Sequence, residues 1–173
     1  MTLDDLLALD RSALDALLTA GHPVSTDALV NREFHGVSLG LPRFVERLTW
    51  KKFKKVFVQR DDAIHGYNEA VEQNALDAPW ISVRKRGEPV RYWHFHLRPC
   101  DERVPTAWNR GLLIDYAPPA KPWDVMRFMR DPLVAVNPGS ADLLLGVSYA
   151  ELGPLRIPTP TWFALVPGDP VAA

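Results

Sequence analysis

Two histidines stand two residues apart in the stretch VRYWHFHLR, Val90–Arg98, with three other ring side chains around or between them. Residues i, i+2 and i+4 of a strand share a face. One face is therefore expected to carry Tyr92, His94 and His96, and the other Trp93, Phe95 and Leu97. Imidazoles and phenols line binding pockets, and two imidazoles on one face can share a metal if a further ligand is near. Asp115, Glu69, Glu72 and His65 are the candidates for that ligand, but no spacing selects one, and the His-x-Glu/Asp pattern is absent. The expectation is that His94 and His96 hydrogen-bond within the core or line a pocket, with no metal.

Asp115 and Tyr116 end LLIDY, Leu112–Tyr116. If Asp115 shares the barrel-facing side with Leu113, burial raises its pKa and fits it for general acid or base work. If instead it ends its strand, it caps the turn before Pro118 and Pro119; the second arrangement is the expected one. Trp50 to Phe57 reads WKKFKKVF. Interleaved lysines and aromatics can track single-stranded nucleic acid, but the run is short and the net charge of the chain is -1. It reads as a solvated lysine face over buried Trp50, Phe53 and Phe57. Later, Leu143, Leu145, Val147 and Tyr149 alternate with Leu144, Gly146, Ser148 and Ala150. The second set is small enough for a ligand or another element to approach closely. Trp162 and Phe163 are expected on opposite sides of a closing strand.

Other chemistries lack their signatures. There is no G-x-S-x-G, no Walker A and no G-x-G-x-x-G motif. Cys100 sits between Pro99 and Asp101 with no nucleophile context, and as the single cysteine it excludes an intramolecular disulfide.

The elements that would position these residues are mostly strands. Leucines at positions 3, 6, 7, 14, 17 and 18 make helical stripes, with Thr2/Asp5 and Ser12/Asp15 as start signals and Gly21 and Pro23 as the stop. Pro42 with Phe44, Val45 and Leu48 suggests another helical turn. Strands are expected over 34–39, 53–59, 64–72, 80–86, 90–98, 111–116, 141–152 and 160–166, with Leu133–Val136 a further candidate. Trp123, Met126 and Met129 place a short helix near 122–129. Many short strands, frequent turns and few helices argue for a mainly β chain, an antiparallel β-barrel with an N-terminal helical segment.

At 173 residues and 47% hydrophobic composition, 1–173 is expected to form a single β-barrel domain, with 1–22 as an N-terminal helical elaboration. Near-neutral charge gives no pull toward nucleic acid, no apolar run is long enough to span a bilayer, and Asp4 and Asp5 stand where a signal peptide would be basic. A cytoplasmic protein with no nucleic-acid or membrane partner is the expectation; the oligomeric state is not legible.

The stretches HGVSLGLP (His35–Pro42), WKKF (Trp50–Phe53), LLIDY, DLLLGVSY (Asp142–Tyr149) and TWFALV (Thr161–Val166) together resemble the lipocalin-like small barrels of bacteria. The resemblance implies a cup-shaped barrel that binds a small, largely apolar molecule. The G-x-W of lipocalins and the disulfide of their secreted members are absent. A nitrobindin-like haem on His94, His96 or His65 would need that family's ligating segment, which nothing here matches, so no cofactor is expected.

The leading expectation is binding of a small hydrophobic or amphipathic metabolite in the barrel. Trp50, Tyr92, His94, His96, Asp115, Tyr149 and Trp162 are the candidate lining residues. One alternative is a barrel cyclase, isomerase or hydratase acting on a polyketide- or terpene-like substrate, with Asp115, His94 or Tyr116 as candidate catalytic groups. The other is an interaction protein whose barrel is filled by its own side chains.

Overall fold

The structure, a computed structural model, describes residues 1–40, 51–101, 103–105 and 108–171. Two short helices open the chain, α1 (Leu3–Leu7) and α2 (Arg11–Ala20). Thr2 and Asp5 cap α1 reciprocally as expected, each side chain taking the other's backbone N–H. The start of α2 differs from expectation. Asp10 is its cap, accepting from Ala13 N at 2.9 Å, and Ser12 lies inside the helix.

Strands follow as β1 (Arg32–Leu39), β2 (Lys52–Arg60), β3 (Ala63–Ala70), the two-residue β4 (Arg84–Lys85) and β5 (Glu88–Pro89), β6 (Arg91–Pro99), β7 (Leu112–Asp115), β8 (Met129–Ala135), β9 (Leu144–Leu152) and β10 (Leu155–Pro170). Eight of them close an antiparallel barrel in the order β1-β10-β9-β8-β7-β6-β3-β2, returning to β1. Closure gives each of the eight barrel strands a neighbour on both sides. The β4–β5 hairpin stands apart, turned by Arg86 and Gly87, both at positive φ. The strand expected over 80–86 survives only as that hairpin arm and an isolated bridge between Val71 and Ser82. The helix expected near 122–129 is a single 3-10 turn, Val125–Phe128. Leu133–Ala135 of the further candidate proves to belong to a full strand, β8, which ends one residue before Val136. The turn expected behind Pro42, and Trp50, lie outside the described residues.

Alternation along the strands builds two apolar clusters, one on each side of the barrel wall. The inner cluster joins Phe34, Phe57, Phe95, Leu112, Leu133 and Phe163, and Val24 and Leu29 of the connection before β1 belong to it. The outer cluster joins Leu113, Leu145, Val147, Tyr149 and Trp162 with Leu6, Leu14 and Leu18, so the helices cover this flank of the barrel. Burying such side chains is worth about 1.5–3 kcal/mol each before the entropy of ordering is subtracted. Among the described residues no helix is long and apolar enough to cross a membrane.

Candidate functional site

The inner wall holds a polar group that the apolar residues surround. Lys55 of β2 is 1% exposed. Its Nζ donates to the Tyr116 hydroxyl at 2.9 Å. Tyr116 donates in turn to Asp131 Oδ2 at 2.7 Å, and Ser148 donates to Asp131 Oδ1 at 2.7 Å. Lys55 Nζ and Asp131 Oδ2 are 3.9 Å apart. The Asn68 side chain also hydrogen-bonds Tyr116 and donates to the Trp93 carbonyl. Each residue reaches this place by alternation: Phe53, Lys55 and Phe57 share the inner side of β2, and Gly146 and Ser148 that of β9.

Aromatic rings enclose the ammonium. Lys55 Nζ lies 4.8 Å from the centroid of Phe95, 5.4 Å from Phe163 and Tyr116, and 5.8 Å from Phe53. Three of these rings lie against glycines on neighbouring strands: Phe53 over Gly36, Phe95 over Gly66 and Phe163 over Gly146. A Cβ at any of the three would sit 2.2–2.3 Å from a ring atom. The absent side chains let the rings lie flat on the wall and face inward, where their negative faces attract the cation.

Burial sets the protonation behaviour of the group. It lowers Lys55 to about 8, with Asp131 opposing the shift. Burial raises Asp131 despite Lys55 and the hydroxyls of Tyr116 and Ser148, and it raises Tyr116 further, helped by the Asp131 charge. A buried carboxylate and ammonium at this separation titrate as a coupled pair, joined through the Tyr116 hydroxyl.

Most of the lining residues expected from the sequence lie elsewhere. Of the described ones, Tyr92 alone is placed on the inner side, paired with Asn68, and burial raises its pKa. A bulge explains the regrouping of its strand. Trp93 has φ 46°, and Trp93 and His94 together oppose Tyr67 of β3. That extra residue brings Tyr92 onto the side of Phe95 and Leu97, and leaves His94 and His96 on the outer face with His65 and Tyr67. The simple alternation expected for Val90–Arg98 is therefore corrected.

Asp115 also faces outward. Its carboxylate lies 3.1 Å from both Arg98 Nε and Arg130 Nε and accepts from Ala117 N at 2.9 Å, the turn-capping arrangement. The pairs continue to Asp101 on one side and to Glu151 and Arg156 on the other. Tyr149 and Trp162 are in the outer cluster, and burial pushes the Tyr149 hydroxyl up to about 12. The solvated lysine face is corrected too. Lys55 points into the barrel, while Lys52 is buried on the outside beneath the β3–β4 connection, donating to Asn74 and to the carbonyls of Ala75 and Ala78.

Sequence reasoning passed over Lys55, Asn68 and Asp131. The signal for Lys55 was present in Phe53-x-Lys55-x-Phe57, which sets a lysine between two phenylalanines at strand spacing. Among the described residues, no three His, Cys, Asp or Glu side chains group to hold a metal ion. Comparison with protein-family models, with curated proteins and with solved structures finds no match.

Proposed function

We propose that the barrel binds a small amphipathic molecule, with its polar group recognised by the Lys55–Tyr116–Asp131–Ser148 row. That row is the observation that carries the reading. Ionisable groups taken out of water cost several kcal/mol each, and a hydrophobic filling of the same volume is often as stable. Their retention on an inner wall otherwise built of phenylalanine and leucine fits a recognition task. Asn68 and Tyr92 would supply further polar contacts, and the phenylalanine rings would pack on the apolar body.

The direction of approach follows from what fills the barrel. Val24 and Leu29 pack into the inner cluster with Phe34, Ile64 and Leu97, near the strand ends at Arg32, Ala63 and Pro99. The polar row stands toward the other end, where β6 begins and β9 finishes. The exposed apolar residues Trp93, Trp123, Val125, Phe128, Leu155 and Ile157 belong to strand ends and connections at that end. Apolar residues exposed at the entrance of a site favour the passage of an apolar ligand.

A second reading, an isomerase or hydratase, draws support from the coupled Lys55–Asp131 pair. Lys55, lowered to about 8, can exchange a proton near neutral pH, and Asp131, raised by burial, is linked to it through the Tyr116 phenol. The carbonyl of a bound substrate would then meet the Lys55 ammonium as donor, since the Tyr116 hydroxyl already donates to Asp131.

The test is titration with 1-aminoanthracene, a neutral amphipathic fluorophore, followed by its blue shift. Saturable one-to-one binding that weakens about tenfold in Lys55→Met supports the interior site. No saturable binding, with interior aromatic NMR signals unmoved, would leave the barrel filled by its own side chains and overturn the reading.

A further inference from the structure

The histidine pair that the interior does not use stands in a groove of its own. Arg60 of β2, His65 and Tyr67 of β3, and Arg91, His94 and His96 of β6 surround a pocket of about 230 Å³ on the outer wall, with Val58 and Pro119 as apolar sides. The His65 and His96 rings meet edge to face at 4.3 Å between centroids. Tyr67 carries the Arg91 guanidinium 4.5 Å from its ring centre and the His94 ring at 5.7 Å.

The charges around this pocket do not balance. Two guanidiniums and three imidazoles face it. Of the neighbouring carboxylates, Glu69 approaches Arg91 at 3.8 Å and accepts from Ser82. Asp115, which pairs with His96 in the backbone register, has its oxygens engaged by Arg98, Arg130 and the Ala117 N–H. Glu33 of β1 is held by His35 and Lys54. The imidazoles are held toward their neutral form, by burial first and by neighbouring cations second. Burial, then Arg91 and Arg60, lower the pKa of His94; burial and then His65 lower that of His96, against Asp115. Groups that repel one another in a concave, partly apolar site are stabilised by an anion entering among them.

We propose that this groove is a binding site for a small aryl anion, whose negative group lies among Arg60, Arg91 and the histidines and whose ring lies against the apolar sides of Val58 and Pro119. Guanidiniums recognise carboxylate and phosphate oxygens alike through paired N–H donors, so the shared chemistry is a planar apolar body bearing an oxyanion. The bulge at Trp93 gives the site its edge, because Trp93 and His94 together oppose Tyr67 while Tyr92 passes to the inner side. Binding strengthens as pH falls through the histidine pKa values, since each added proton brings a charge the ligand can pair. By linkage, the ligand raises those pKa values. The site stands independently of the reading given for the interior.

The test is a histidine NMR titration of the full chain at constant ionic strength, in chloride, inorganic phosphate, phenyl phosphate or benzoate. Phenyl phosphate is expected to raise the His94 and His96 pKa values by about half a unit or more over chloride, and to do so at lower concentration than inorganic phosphate. A matching effect of benzoate assigns the site to aryl carboxylates as well. Arg91→Gln, a surface change that leaves the barrel wall intact, is expected to weaken phenyl phosphate binding about tenfold. Histidine pKa values that are the same in phenyl phosphate and chloride overturn the site, and equal potency of inorganic and phenyl phosphate overturns the aryl assignment.

Discussion

Phe95 occupies the space that a side chain on Gly66 would need: a Cβ there would lie 2.2 Å from the ring's Cζ and 2.4 Å from the Val56 carbonyl oxygen. The same ring stands 4.8 Å from Lys55 Nζ, so the missing side chain on β3 helps place the cation's aromatic wall. Gly66→Ala must push either a packed ring or the β2 backbone. It is expected to cost about 2–3 kcal/mol, read as a lower urea midpoint with an unchanged slope. An unchanged midpoint would mean that the ring and Val56 yield freely.

Lys55 makes stability depend on alkaline pH. Its pKa is about 8 when folded and 10.5 in the unfolded reference, so between these values the unfolded chain binds more protons than the folded one. Stability from this group therefore rises as pH increases through that window, by an amount on the order of 3 kcal/mol in total. Asp131 acts in the acid range with the opposite slope: its folded pKa is raised, so stability falls as pH rises from its unfolded value toward the folded one. Urea unfolding at a series of pH values above neutrality, for the wild-type chain and Lys55→Met, isolates the lysine contribution. Equal slopes in the two proteins would remove Lys55 from the account.

The architecture was legible because its signals are periodic. β1, β2, β9 and β10 follow alternation, and Thr2, Gly21 and the Asp61–Asp62 turn mark ends by local chemistry. The site was hidden by two things that periodicity does not carry. A one-residue bulge at Trp93 exchanges faces along β6, and the sequence has no glycine there to announce a positive φ. Lys55 sits in a lysine-rich run, where composition speaks for solvent and only its place between Phe53 and Phe57 speaks for burial. Its partners Asp131 and Ser148 come from strands far along the chain, so the pairing exists only once the barrel closes. Asp115 was ambiguous for the same reason: Leu113 is buried on either face, against the helices outside as completely as it would be inside.

Asp115 bridges two guanidiniums in a position where its side chain is about 10% exposed, as is that of Arg130. Asp115→Ala leaves the cations of Arg98 and Arg130 close together without the carboxylate between them, and is expected to destabilise the chain by about 2–3 kcal/mol. Arg103→Ala removes the exposed end of the same row, a 3.4 Å pair to Asp101, and is expected to change stability by less than about 1 kcal/mol. Thermal unfolding of both variants checks the contrast. Equal losses would show that burial does not distinguish the two pairs.

Lys52 fastens the β3–β4 connection to the outside of the barrel. Its ammonium donates to Asn74 and to two backbone carbonyls, at 2.9 Å to Ala75 and 3.0 Å to Ala78, and lies 4.4 Å from the Trp80 ring centre. Trp80 in turn stacks on His35 of β1 at 4.5 Å. These contacts converge on one nitrogen, so Lys52→Met keeps the apolar stem and removes every donor. The expected result is faster amide hydrogen exchange in the 73–80 segment, with protection of β2 and β3 retained by their ladders. Exchange there would rise by about tenfold for each 1.4 kcal/mol of local opening free energy lost. If protection of the segment is unchanged in Lys52→Met, the stacking of Trp80 on His35 is what holds it, and His35→Ala should then release it instead.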